Sequence, residues 1–280
     1  MSESNFINKK GNTVHTWQWK SGKPKGAAIY LLHGYAEYGG RYKQTATFFK
    51  EAGFDVYAID HQGHGKSYGK HGLISSWQEM VDDAVEGFKH FKTEQSHINS
   101  WFLIGHSMGG GLAVLTATQI QEQLSGMLLS APLIDQAIST PAFIISLGKI
   151  IGNLLPSLGI IPFDQSAQSR EPDVIKAFLA DSNNYKGKLR AGTGVQVLQM
   201  IEAIDTVPEK ITLPVWIGHS SIDRLTSFDA SKAFHSRLAS ADKTFRKYDG
   251  LFHEIMNEPE RRIVLEEMHS WMKKRLHKLN

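Results

Sequence analysis

From residue 26 onward, short apolar runs alternate with longer stretches whose apolar residues fall on one helical face. That alternation predicts βαβ units and a mainly parallel sheet. The runs AAIYLLH from Ala27, DVYAID from Asp55, WFLIG from Trp101, GMLLS from Gly126, VWIGH from Val215 and TFRKY from Thr244 are each bounded by Gly, Pro, Asp or Ser, and each predicts a strand. Ahead of them VHTWQW from Val14 alternates polar and apolar residues, which predicts an antiparallel edge strand that opens the sheet with one wet face. Helices are predicted over Trp77 to Phe91, Met108 to Gln119, Ser227 to Leu238 and Glu260 to Leu276, completing a doubly wound α/β layout.

The regular alternation breaks between Ala137 and Thr206, where two helix-like stretches replace the single crossover helix. The break predicts an inserted helical cap over residues 137–206, between core segments 1–136 and 207–280. Within it Phe143, Ile144, Leu147, Ile150, Ile151, Leu154, Leu155 and Leu158 recur at helical spacing, with Ser146, Lys149, Asn153 and Ser157 opposite. Such a stripe packs onto its own domain or forms a lipid-facing lid, and the two roles are compatible. There is no internal repeat and no low-complexity segment.

Composition narrows the class. The 280 residues fit one α/β domain with an insertion, and 41% hydrophobic with 21% charged residues is ordinary globular usage. A net charge of +3 is too small to imply a nucleic-acid partner, while leaving room for a mild preference for anionic lipid surfaces. The absence of cysteine excludes disulfides, thiolate catalysis and cysteine-ligated zinc. The N-terminal MSESNFINKKGN lacks the apolar stretch of a secretory signal, and Pro141 to Pro162 is interrupted by Lys149, Asn153, Pro156 and glycines, a poor membrane span. The expected location is cytoplasmic, with peripheral membrane contact through the cap left open.

The strongest chemical signal is Gly105-His106-Ser107-Met108-Gly109, directly after the WFLIG run and directly before GGGLAVLTAT. It matches the G-x-S-x-G nucleophile elbow, in which glycines flank a serine because the sharp strand-to-helix turn leaves no room for Cβ atoms. The turn presents Ser107 Oγ above the sheet and sets a helix N-terminus beneath a developing oxyanion. Serine needs a base. His253, in Tyr248-Asp-Gly-Leu-Phe-His253-Glu after the last strand, is placed to serve, whereas His235, His269 and His277 fall in predicted helices and suit solvated or packing roles. Asp223, a few residues past VWIGH, suits orienting His253; its rival Asp229 sits at a helix start, where a capping or dipole role accounts for it. The order Ser107, Asp223, His253 is the chain order of the elbow-bearing fold. The oxyanion hole is expected from the backbone N–H groups of Met108 and of Tyr35, in Leu32-His33-Gly34-Tyr35, with no part for the Tyr35 side chain. His61 and His64 in Asp60-His-Gln-Gly-His-Gly65 could be read as a metal pair, but no third ligand lies nearby and a glycine-rich loop after a strand accounts for them, so no metal is expected.

With these residues in place, the chain resembles the monoglyceride lipase and lysophospholipase branch of the α/β-hydrolases over most of its length. His33-Gly34 leading to Glu37 and Gly40-Arg41-Tyr42 is similar to that branch's oxyanion loop, and Asp60-His61-Gln62-Gly63-His64-Gly65-Lys66-Ser67 to its next strand end. Gly105 to Gly109, Ser130-Ala131-Pro132, Asp223-Arg224-Leu225, and His253-Glu254 followed by Asn257-Glu258-Pro259-Glu260 resemble its other landmarks. The resemblance implies a serine hydrolase of lipid carboxylic esters, acting on monoacylglycerols or related single-chain esters, with a mobile cap over an acyl tunnel and no cofactor. Two departures bear on the head group: Ala36-Glu37-Tyr38 stands where the family usually has Gly-Glu-His, and Asp181-Ser-Asn-Asn-Tyr185 where it has Asp-Pro followed by apolar residues. Lysophospholipase and broad short-chain carboxylesterase are the alternatives among enzymes, and a catalytically inactive binding module is the alternative from another class. A dehalogenase would want a carboxylate at the elbow.

Overall fold

The computed structural model describes residues 1–137, 142–162 and 164–276, with residues 142–147 described as backbone. In chain order its strands are β1 (Ser2–Ile7), β2 (Thr13–Trp19), β3 (Ala27–Leu32), β4 (Asp55–Ile59), β5 (Ser100–His106), β6 (Gly126–Ser130), β7 (Gly159–Ile161), β8 (Leu189–Arg190), β9 (Val215–Ser220) and β10 (Lys243–Tyr248). Its α-helices are α1 (Lys43–Glu51), α2 (Trp77–Glu94), α3 (Met108–Ile120), α4 (Ala142–Leu154), α5 (Pro172–Ala180), α6 (Ala191–Ile204), α7 (Phe228–Arg237) and α8 (Arg261–Lys273). Among the described residues, eight strands form one sheet in the order β1-β2-β4-β3-β5-β6-β9-β10. β1 with β2 and β2 with β4 pair antiparallel, and the pairs from β4 to β10 are parallel.

The period of two along β3 divides its side chains between two layers. Ala28, Tyr30 and Leu32 join a core with Phe88 and Phe91 of α2, Leu112 and Ala113 of α3, and Phe234 of α7. Ala27, Ile29 and Leu31 join another with Phe49 of α1 and Val264, Met268 and Trp271 of α8. Burial on both faces is why this strand reads as an uninterrupted apolar run.

Three expectations need correction. VHTWQW is not the edge: β1 lies outside it, its register running from Ser2 opposite Gln18 to Ile7 opposite Thr13. Most of SESNFI is polar and exposed, so β1 is held by ladder hydrogen bonds and by Phe6 against the core, and hydropathy does not reveal it. α1 was not anticipated; it buries only Thr45, Ala46 and Phe49 and starts from a short 3₁₀ turn at Gly39–Tyr42. Between β6 and β9 the described residues form three α-helices, not two, and a small antiparallel β7–β8 pair. α4 ends at Leu154 because Pro156 disfavours helical geometry at the residue before it, leaving Leu155 and Leu158 of the predicted stripe beyond the helix.

The face that α4 turns inward is set by glycine. A Cβ on Gly152 would stand 2.4 Å from Val195 Cγ2 and 2.7 Å from the Ala191 carbonyl oxygen, both on α6. The helices therefore meet through backbone, and Ile150 and Leu154, two residues from Gly148 and Gly152, point away with exposures of 59% and 75%.

Candidate active site

Ser107 sits at the junction of β5 and α3 with φ 53° and ψ −123°, a conformation that side chains rarely adopt. The residues two places to either side of it must be glycine: a Cβ on Gly105 would stand 2.3 Å from the Gly109 oxygen, and one on Gly109 would stand 2.2 Å from the Leu32 oxygen. The Ser107 N–H donates to Ser130 O at 3.0 Å, and Ser107 O accepts from Leu133 N at 2.8 Å. These bonds tie the strained turn to the end of β6.

His253 stands in the loop after β10, its Nδ1 donating to Asp223 Oδ2 at 2.6 Å. With Nδ1 so committed, Nε2 carries the lone pair. The Asp223 side chain is fully buried, and its Oδ2 also lies 3.2 Å from His219 Nε2 and accepts from Thr226 Oγ1 at 3.0 Å. Its Oδ1 accepts from the backbone N–H of Leu225 at 2.8 Å and of Thr226 at 3.2 Å. Burial alone would raise the carboxyl, but His253 and His219 beside it hold it well below the usual carboxylate range. Burial opposes charge on His253 too, yet Asp223 overrides it and raises the imidazole above its ordinary value. His106, its ring 4.9 Å from that of His253, goes the other way: burial and the neighbouring imidazole push it down to about 4. His106 is thus a neutral neighbour.

The loop after β3 faces Ser107 from the other side. Gly34 comes so close that a Cβ there would lie 3.2 Å from Ser107 Cβ. Its N–H donates to Glu37 Oε1 at 2.6 Å, and the Tyr42 hydroxyl donates to the same oxygen at 2.5 Å. Glu37 Oε2 accepts from Arg41 Nη1 at 2.7 Å, while Arg41 Nη2 reaches Glu254 Oε2 at 2.8 Å. Burial pushes Glu37 up, but Arg41 together with His106 and the hydrogen bonds from Tyr42 and Gly34 keeps the carboxyl below its ordinary value. The Tyr35 side chain has a place after all: its hydroxyl donates to Gly72 O at 3.0 Å and its ring lies 5.3 Å from His64, which pins the residue whose N–H is the expected oxyanion donor.

His61 and His64 are packed with His33, at ring separations of 4.0 and 5.5 Å from it. Burial pushes His33 and His64 down to about 3. The His61 N–H donates to His33 Nε2 at 2.9 Å, so one ring nitrogen of that cluster serves the fold. Among the described residues no group of His, Cys, Asp and Glu is arranged to hold a metal ion. His235 and His269 make ring contacts with Phe245 and Phe54. Asp229 lies in the first turn of α7, whose cap is Ser227; His277 lies outside the described residues.

Ser107, Met108, Tyr35, Asp223 and His253 all line one cavity of about 740 Å³. Leu133, Ile160, Leu189, Val195, Leu198 and Leu225 supply apolar walls; Asp164, Gln168, Arg224 and Glu254 supply a polar part. Sequence reasoning passed over His219, Thr226 and Gln168. The first was visible, since His219 ends the VWIGH strand on the face of Val215 and Ile217. Gln168 follows a single 3₁₀ turn, Gln165–Ala167, where no periodicity marks an inward position.

A doubly wound sheet with a serine at its strand–helix elbow defines an α/β-hydrolase. The family model described as "Serine aminopeptidase, S33" matches residues 23–260, and the chain belongs to that hydrolase family. The chain is 32% identical over 271 residues to the monoacylglycerol lipase of Mycolicibacterium smegmatis, covering 97% of this chain and 96% of that one. It is 30% identical over 274 residues to the monoglyceride lipase of Homo sapiens, covering 96% of this chain and 90% of the relative. The crystal structure of the Paleococcus ferrophilus monoacylglycerol lipase superposes with a TM-score of 0.81 at 29% identity, covering 93% of this chain and 99% of that one. Among the described residues no helix is long and apolar enough to cross a membrane.

Proposed function

We propose that this chain is a serine hydrolase of lipid carboxylic esters that splits monoacylglycerol into fatty acid and glycerol through an acyl-enzyme on Ser107. The observation that carries the reading is the joining of an apolar cavity to the Ser107, His253 and Asp223 cluster at one end. The similarity to monoacylglycerol lipases supports the choice of substrate.

His253 Nε2 takes the Ser107 proton as Oγ bonds to the ester carbon, and the carbonyl oxygen becomes an oxyanion held by the Tyr35 and Met108 N–H groups. His253 then returns the proton to the glycerol oxygen as the C–O bond breaks. Water repeats the sequence on the acyl-enzyme, giving its proton to His253 and releasing the fatty acid and free Ser107. Asp223 orients the ring and stabilises its protonated form. The reaction calls on no cofactor, because side chains and amides of this chain supply nucleophile, base and oxyanion stabilisation.

Residues 137–206 act as the cap. The exposed Ile150, Leu154, Leu155, Leu158 and Ile161 form an apolar surface that meets lipid, with Ile160 and Ile161 also bordering the cavity. Glu37, Glu254, Asp164 and Asp223 among the cavity residues outnumber Arg224 even when Arg41, which bridges Glu37 and Glu254, is added to it. That balance favours an uncharged head group over a phosphate.

The test is a turnover series on 1-monoacylglycerols, matched lysophospholipids and simple esters of increasing chain length. A peak on medium or long monoacylglycerols is expected, and Ser107→Ala should remove nearly all turnover with the fold retained. Faster turnover of lysophospholipids or short simple esters would overturn the substrate, and substantial hydrolysis by Ser107→Ala would overturn the mechanism.

A further inference from the structure

We propose that the side-chain amide of Gln168 accepts a hydrogen bond from a hydroxyl of the alcohol half of the ester, and so selects esters of hydroxyl-bearing alcohols over those of simple alkanols. The proposal rests on the monoacylglycerol reading above and names the residue that reads the head group.

Gln168 lines the catalytic cavity and is only 3% exposed. Its Oε1 is buried and, among the described residues, has no hydrogen-bond partner. A carbonyl taken out of water and left unpaired is costly, and a donor brought by the substrate would relieve the cost.

The backbone fixes which half of the ester it meets. Gln168 O accepts from Glu254 N at 2.7 Å and Ala167 O accepts from His253 N at 3.4 Å, so this segment runs alongside the histidine loop. His253 returns its proton to the departing alcohol oxygen, so the alcohol leaves on the His253 side. The apolar walls are left for the acyl chain.

The nearby carboxylates each have one oxygen already committed. Glu254 Oε2 accepts from Arg41 and from Asn257 Nδ2 at 2.8 Å each. Asp164 Oδ1 accepts from Ser166 Oγ at 2.6 Å, and its Oδ2 lies 3.6 Å from Arg224 Nη2. Unlike these carboxylates, Gln168 Oε1 is a buried acceptor with no hydrogen bond from the described residues, and the substrate can supply one. A site whose buried polar atom needs a donor rejects the analogue lacking one.

The experiment compares kcat/KM for 1-decanoylglycerol and ethyl decanoate in the wild type, Gln168→Met and Gln168→Leu, with the rate of Ser107 labelling by a small fluorophosphonate as a control that carries no head group. In both variants the preference for the glyceryl ester should fall by about tenfold, the effect of one buried hydrogen bond, while ethyl ester turnover and labelling stay within about twofold. A preference that survives both substitutions overturns the role of Gln168 alone. So does a parallel loss on both esters and in labelling, which marks a structural residue. A wild type that hydrolyses ethyl decanoate but not 1-decanoylglycerol overturns the monoacylglycerol reading and the proposal with it. Should both variants fail to fold, the wild type decides with 2-hydroxypropyl, 3-hydroxypropyl and propyl decanoate: equal rates on all three overturn the proposal.

Discussion

The Tyr38 hydroxyl donates a 2.6 Å hydrogen bond to Asp181 Oδ2, across 143 residues of sequence. These residues belong to the two segments in which the chain departs from the family it resembles, and the structure puts them in contact. Close by, Tyr185 N donates to Ala36 O at 2.8 Å and His71 Nε2 lies 3.1 Å from Asn183 O. The segment between α5 and β8 is thereby fastened to the loop that carries Tyr35.

Tyr38→Phe removes one bond to a partly buried carboxylate, an expected loss of about 1 kcal/mol. In a chain of this size the melting temperature should fall by about 2–4 °C. Asp181→Asn should cost a similar amount, and the double variant should cost no more than either alone, because both changes remove the same bond. Additive losses would show that the two residues act separately.

Arg41 stands between Glu37 and Glu254, with side-chain exposures of 11% for the arginine and 4% for each carboxylate. Arg41→Gln leaves two buried carboxylates without their common cation, and the expected destabilisation is about 3–5 kcal/mol. The sign with pH follows from Glu37, which Arg41 holds below its ordinary value. Its contribution is present above the unfolded pKa of about 4.3 and is lost as pH falls through the lower folded value. The gap between variant and wild type in urea unfolding should therefore narrow below about pH 4.

What was legible in the sequence is what two-sided burial or a fixed spacing imposes. β3, β4 and β5 read as apolar runs because both faces are covered, and Ser107, Asp223 and His253 could be proposed because each follows a strand end. β1 was not legible, since backbone pairing asks little of its side chains. The cap was read as helical without its third helix or its β7–β8 pair. The direction of its apolar stripe was left open, because the deciding residue is Gly152, whose missing Cβ is invisible to a hydrophobic pattern. Gln168 was not legible, because the isolation of its buried Oε1 depends on contacts made far apart in the sequence.

The raised His253 imidazole gives a pH dependence. Its neutral form is the base, so kcat/KM should fall on the acid side with an apparent pKa above the ordinary imidazole value of about 6.5. Asp223→Asn removes the charge that overrides burial, so the limb should move to lower pH while the rate drops by about 10⁴-fold. A limb that stays in place in the variant would show that Asp223 does not govern the base.

The two glycines of α4 should respond differently to alanine. Gly148 has nothing within 4 Å of an added Cβ, and a gain of up to about 1 kcal/mol in helix propensity is expected for Gly148→Ala. At Gly152 the added carbon meets Val195 and the Ala191 carbonyl, so Gly152→Ala should lower the melting temperature by forcing α4 away from α6.

The close glycine contact leaves the other side of α4 and the turn after it apolar and uncovered, with Ile150, Leu154, Leu155 and Leu158 each about half exposed or more. Transfer of such side chains into lipid is favourable by about 1–2 kcal/mol each. Ile150→Ser, Leu154→Ser and Leu155→Ser combined should therefore weaken co-sedimentation with phosphatidylcholine vesicles by about 100-fold or more. Because these side chains lie away from Ser107, turnover of a dissolved short-chain ester should change by less than about twofold. Unchanged vesicle binding would assign the patch to contacts other than lipid, and a parallel loss on the dissolved ester would mean that the cap's packing, rather than its outer surface, had been disturbed.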